Sequence, residues 1–136
     1  MAAMLAGIGI DRCGTAIAHN ISHALASLGS IHHGLATALA FEVTLPWLVE
    51  AETEALQNAA TACGIDHHQG LPDWLDAFMT DCGIERRLPS DFRAVTDVAL
   101  AEAMRATHNA PMRDATIREV TEEDVSRFAE QMMALR

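Results

Sequence analysis

The chain has 136 residues, half of them hydrophobic but only six aromatic, and nine basic against nineteen acidic residues give a net charge of −10. A surface of that sign repels nucleic acid and anionic membranes, and no apolar run approaches the ~20 residues of a membrane span. The length suits one independent core built mainly from Ala, Leu, Val, Ile and Met, so the chain reads as a single helical domain over residues 1–136.

In chain order the pattern is helical throughout. Residues 2–13 place Leu5 and Ile8 on one face, with Gly7 and Gly9 suited to close helix contact. Residues 15–28 carry an apolar stripe of Ile17, Ile21, Leu25 and Leu28, with His19 and His23 opposite. Gly29 and Gly34 break the run, and a third helix is expected from Leu35 to about Leu45, where Pro46 kinks or ends it before Trp47, Leu48 and Val49 continue onto the core. Glu50, Glu52, Thr53 and Glu54 read as the solvated, capped start of a helix that stops at Cys63-Gly64.

A loop, Ile65 to Gly70, leads to a helix over Asp73–Cys82 whose Trp74, Leu75, Phe78 and Met79 share an apolar face. Ser90-Asp91 caps a short turn into a helix over Val95–Arg105, which His108-Asn109-Ala110-Pro111 ends. Thr121 is an N-cap followed by Glu122, Glu123 and Asp124 in the first turn. Val125, Phe128, Met132 and Leu135 then recur on one face. Cys13, Cys63 and Cys82 form no CxxC pattern and read as reduced, mostly buried thiols. With no visible secretory signal, the expected compartment is the cytoplasm.

Four of the seven histidines lie between His19 and His33. His19 and His23, four apart, stand on one helix face, and His33 at the mouth of the next helix can meet the same spot. Taken alone, such a pair is more often a polar seam between helices than a ligand pair. His67-His68 in its loop is a second doublet, without a third ligand in sequence, and reads as inert.

The string His19-x3-His23-x9-His33-Gly34, followed by an Ala/Leu-rich helix closing on Leu45-Pro46, resembles the signature of the iron-containing (group III) alcohol dehydrogenases. The Asn109…Pro111 ending and the Thr121-Glu122-Glu123-Asp124 helix start resemble the way that family finishes. The resemblance implies an all-α fold, a helical bundle like the C-terminal domain of iron-containing alcohol dehydrogenase and dehydroquinate synthase-like proteins. It also implies that His19 and His33 are metal ligands and that His23 lines the cleft between metal and nicotinamide as a proton shuttle. His32 departs from the proline or small apolar residue usual there, and a one-residue register shift between His32 and His33 stays open.

Fe(II) is the metal the family name implies, and Zn(II) suits the same ligands. The family's other two ligands, an Asp and a His four apart, lie well upstream of the position matching His19. The eighteen residues before His19 contain Asp11 but no Asp-x3-His. The Gly-rich NAD(P)-binding domain is also not among these residues. Two expectations stand side by side. One is the metal-binding helical part of an NAD(P)-dependent alcohol or aldehyde oxidoreductase, inactive as an isolated chain. The other is a non-catalytic helical remnant serving as a binding or assembly module. Either is expected to self-associate as a homo-oligomer through apolar surface that a missing domain normally covers.

Overall fold

A computed structural model describes residues 15–136 together with Met4. The helix read over residues 2–13, with Gly7, Gly9, Asp11 and Cys13, lies outside the described residues. The described chain is all-α, without a strand among the described residues. It comprises α1 (Ile17–Leu28), α2 (His33–Leu48), α3 (Glu54–Ala62), α4 (Leu71–Asp81), α5 (Asp97–Arg105), α6 (Ala110–Asp114) and α7 (Glu122–Met133), with short 3-10 turns between several of them.

The apolar stripe of α1 organises the core. Ile17, Ile21 and Leu25 are fully buried and Leu28 is partly so. α1 packs chiefly on α2 and α5, while α2 reaches α4 and α7, and α5 packs on α7. Phe92, Leu100, Met104, Val125, Phe128 and Met132 close the interior. Two buried asparagines stitch it. Asn20 on α1 donates from Nδ2 to the carbonyls of Met104 and Asn109, both at 3.0 Å, and Asn109 donates to the Ala103 carbonyl.

The helix ends follow their local chemistry. Thr53 caps α3 by accepting from the Leu56 amide, and Gly64, at φ +77, turns the chain out of it. Thr121 and Asp124 form a reciprocal capping box at α7. The Asp124 carboxyl is affected first by burial, which raises its pKa, but the Thr121 hydrogen bonds and nearby Arg127 outweigh this and hold it below its ordinary value.

Several expectations are corrected. Pro46 does not end its helix: α2 runs through it to Leu48. The missing N–H forfeits one backbone hydrogen bond, and burial of Leu45, Trp47 and Leu48 on either side offsets the loss. Trp74 and Phe78 do not join Leu75 and Met79 in the core. They are 36% and 48% exposed and stack on each other at 5.3 Å. The helix expected from Val95 starts at Asp97, because Thr96 supplies the cap. Pro111 lies in the first turn of α6 rather than closing a helix, a place where its lost N–H has no partner to miss. Of the described thiols, Cys82 is exposed and Cys63 half-buried. Finally, His33–Ala51 does have the length and composition of a membrane span. Here much of it is a core helix, with Ala36, Leu39, Ala40 and Leu45 covered by neighbouring helices.

Candidate metal site

The site is built where α1 and α2 lie side by side. The N-terminus of α1 has no side-chain cap of its own, and the Ile17 amide instead donates to Thr116 Oγ1 at 3.0 Å. That contact and the buried stripe fix the rotation of α1, leaving His19 half-buried and His23 exposed on its other side. The connection from α1 to α2 is tight at Gly29, where a Cβ would come within 3.0 Å of the Phe92 ring. His32 then caps α2, its Nδ1 accepting from the Gly34 amide at 3.2 Å. One ring nitrogen of His32 is so engaged, and it is His33 rather than His32 that lines the cleft beside His19.

The three remaining rings converge. His19 and His33 have centroids 5.4 Å apart at an interplanar angle of 57°, and His23 and His33 are 5.7 Å apart, edge to face. The His33 Nδ1 lies 3.0 Å from Ser22 Oγ, so Nε2 is the nitrogen left for another partner. The hydroxyl of Ser22 is in turn 3.1 Å from Thr37 Oγ1. His19 and His33 line a cleft of about 640 Å³ whose other walls include Ala18, Gly34, Thr37 and Phe41. His23 sits at its edge, outside the lining.

Burial lowers the pKa of His19, and the neighbouring His33 and His23 lower it further. A neutral imidazole keeps a lone pair available, which is the state a metal takes.

The spacing suits a shared ion. A ring nitrogen binds Fe(II)- or Zn(II)-sized ions at about 2.0–2.1 Å, which puts two tetrahedrally disposed imidazole centroids roughly 5.2 Å apart. The His19–His33 separation is close to that. Among the described residues no group of three or more His, Cys, Asp or Glu side chains is placed to hold one ion, so an ion at this pair would need further ligands. The second doublet is otherwise engaged: His68 Nδ1 lies 3.3 Å from Gln57 Oε1 and its Nε2 is 3.1 Å from Gln69, while His67 is exposed beside it.

Sequence reasoning did not single out Ser22, Thr37 or Phe41. Thr37 is four residues after His33, a spacing that signals a shared helix face. Ser22 has no such signal, because only the pairing of α1 with α2 brings it to His33.

A family model described as Fe-containing alcohol dehydrogenase family, C-terminal, matches residues 1–133. No curated protein and no solved structure matches the chain. With an all-α fold, the histidine string carried on α1 and α2, and a match over nearly its whole length, the chain belongs to the Fe-containing alcohol dehydrogenase family, within that family's C-terminal domain.

Proposed function

We propose that this chain is the metal-binding helical part of an NAD(P)-dependent alcohol or aldehyde oxidoreductase, with His19 and His33 as two of the metal ligands. The observation that carries the reading is the 5.4 Å approach of those two rings across α1 and α2 at the wall of one cleft. Bound there, Fe(II) or Zn(II) supplies Lewis acidity toward an alcohol or carbonyl oxygen. The nicotinamide needs a nucleotide-binding domain that these 136 residues do not supply, and the remaining metal ligands lie outside the described residues.

The chain's own residues do the rest. His19 and His33 present ring nitrogens to the cleft. Ala18, Ala38 and Phe41 give this open cleft an apolar wall suited to a small carbon skeleton. His23, exposed and 5.7 Å from His33, is placed to pass a proton between the cleft and solvent, the side chain type suited to transfer near neutral pH. The free thiols of Cys63 and Cys82 suit a reducing, cytoplasmic setting. A second reading, a non-catalytic assembly module, is favoured by one observation: Phe41, Trp74 and Ile117 expose apolar surface around a cavity of about 350 Å³.

Anaerobic equilibrium dialysis with Fe(II) and, separately, Zn(II) tests the proposal. It expects one saturable ion per chain, lost in His19→Ala and in His33→Ala and kept in His67→Ala. Absence of saturable binding, or loss only in His67→Ala, leaves the assembly reading.

A further inference from the structure

Ser22 is a fully buried hydroxyl in a helix whose buried face is otherwise almost wholly apolar, and a buried polar group needs a reason to be there. Its oxygen meets His33 Nδ1 at 3.0 Å and Thr37 Oγ1 at 3.1 Å. Thr37 Oγ1 also lies 2.9 Å from the His33 carbonyl. Four groups therefore form a closed circuit: ring, serine, threonine, and back to the backbone of the same histidine.

Counting protons gives the circuit a direction. The carbonyl can only accept, so the single Thr37 proton goes to it, the usual back-bond of a helical threonine. Thr37 Oγ1 then has only lone pairs to offer Ser22, whose own proton fills that contact. Ser22 Oγ is left as an acceptor facing His33 Nδ1, and the ring must supply the proton. The opposite order, with Thr37 donating to Ser22 and Ser22 to the ring, sets the Thr37 oxygen and the carbonyl lone pair to lone pair at 2.9 Å. Only the first order satisfies all three contacts.

We infer that Ser22 and Thr37 are positioning residues that lock His33 as the Nδ1–H tautomer and aim its bare Nε2 into the cleft. This rests on the proposed role of His33 as a ligand. A metal-bound histidine is commonly held this way by an acceptor on its second nitrogen, which fixes ring orientation and raises ligand basicity. Here the acceptor is a serine whose lone pair is reserved for the ring by a threonine one turn into α2.

Long-range proton–nitrogen NMR of the full chain at about pH 8, above the ordinary histidine range, reads the tautomer without any metal. His33 is expected as Nδ1–H in the wild type and in Thr37→Ser, which restores the hydroxyl. Ser22→Ala and Thr37→Val should move it toward Nε2–H. In parallel, Zn(II) competition against a chromophoric chelator should show affinity lowered roughly 10–100-fold in Ser22→Ala and recovered in Thr37→Ser relative to Thr37→Val. An Nε2–H ring in the wild type, or a tautomer ratio and zinc affinity unchanged by Ser22→Ala, overturns the inference. Failure of the wild type to bind Zn(II) while the tautomer responds as expected overturns the ligand role of His33 instead, so the two failures are distinguishable.

Discussion

Replacing Asn20 by alanine removes the polar stitch between α1 and the α5–α6 connection. Asn20 is fully buried, and both protons of its side-chain amide are used, toward the Met104 and Asn109 carbonyls at 3.0 Å each. Each such bond contributes about 0.5–1.5 kcal/mol net, so the pair is worth about 1–3 kcal/mol. The void left by the amide adds about 1 kcal/mol where neighbours relax only partly. The expected loss is therefore about 2–4 kcal/mol, a large fraction of the stability of a domain this size. At a urea m-value of about 2 kcal/mol/M the midpoint falls by about 1–2 M with the slope unchanged. Asn20→Asp should cost at least as much, because it keeps the shape but turns carboxylate oxygens toward two carbonyls. An Asn20→Ala midpoint within about 0.25 M of wild type would refute the claim that this amide pins α1.

Three further outcomes follow from the same geometry. Because burial and the neighbouring histidines depress the pKa of His19 below 6.5, the folded chain binds fewer protons than the unfolded chain between the two values. Stability then declines as pH falls from about 6.5 toward the folded value and gains nothing from this group above 6.5. His19→Gln should flatten that part of the profile in urea titrations from about pH 7.5 to 5, and parallel profiles would contradict it. Gly29→Ala drives a methyl to 3.0 Å from the Phe92 ring and should cost about 1–3 kcal/mol as an overpacking change; a midpoint equal to wild type would show that Phe92 gives way freely. The exposed Phe41, Trp74, Phe78 and Ile117 predict self-association at micromolar concentration. Light scattering should then report a mass above 14.7 kDa, reduced toward it in Phe41→Asp; a monomeric wild type would contradict the prediction.

Much of the fold was legible because local signals and burial agree. The stripe Ile17, Ile21, Leu25 needs only the helical period, and Thr53, Gly64 and Thr121 mark helix ends by groups that satisfy backbone partners nearby. The expectations that failed depend on what lies across the interface. Trp74 and Phe78 share the helical spacing of Leu75 and Met79, but only the latter two have neighbours to bury them. Pro46 looks like a stop until the apolar contacts of Trp47 and Leu48 hold the helix beyond it, and Pro111 reads as a terminator or an initiator depending on the turn before it.

The histidine string was legible as a motif, and the structure explains why its spacing works. One helical turn separates His19 from His23, and a connection kept tight by Gly29 returns the chain so that His33 faces both. The surrounding shell was not legible. Ser22 and Asn20 sit among apolar residues on α1, and nothing in their spacing says that one meets a histidine on α2 and the other one carbonyl at the end of α5 and one in the turn after it.

If the proposal is right, His19 and His33 hold one ion together. X-ray absorption at the zinc edge of the Zn(II)-loaded chain tests it most directly. Two imidazole nitrogens at about 2.0–2.1 Å are expected in the wild type and in His67→Ala, and no zinc held by imidazole in His19→Ala or His33→Ala. A wild-type first shell without imidazole, or an imidazole count untouched by His33→Ala, would contradict it.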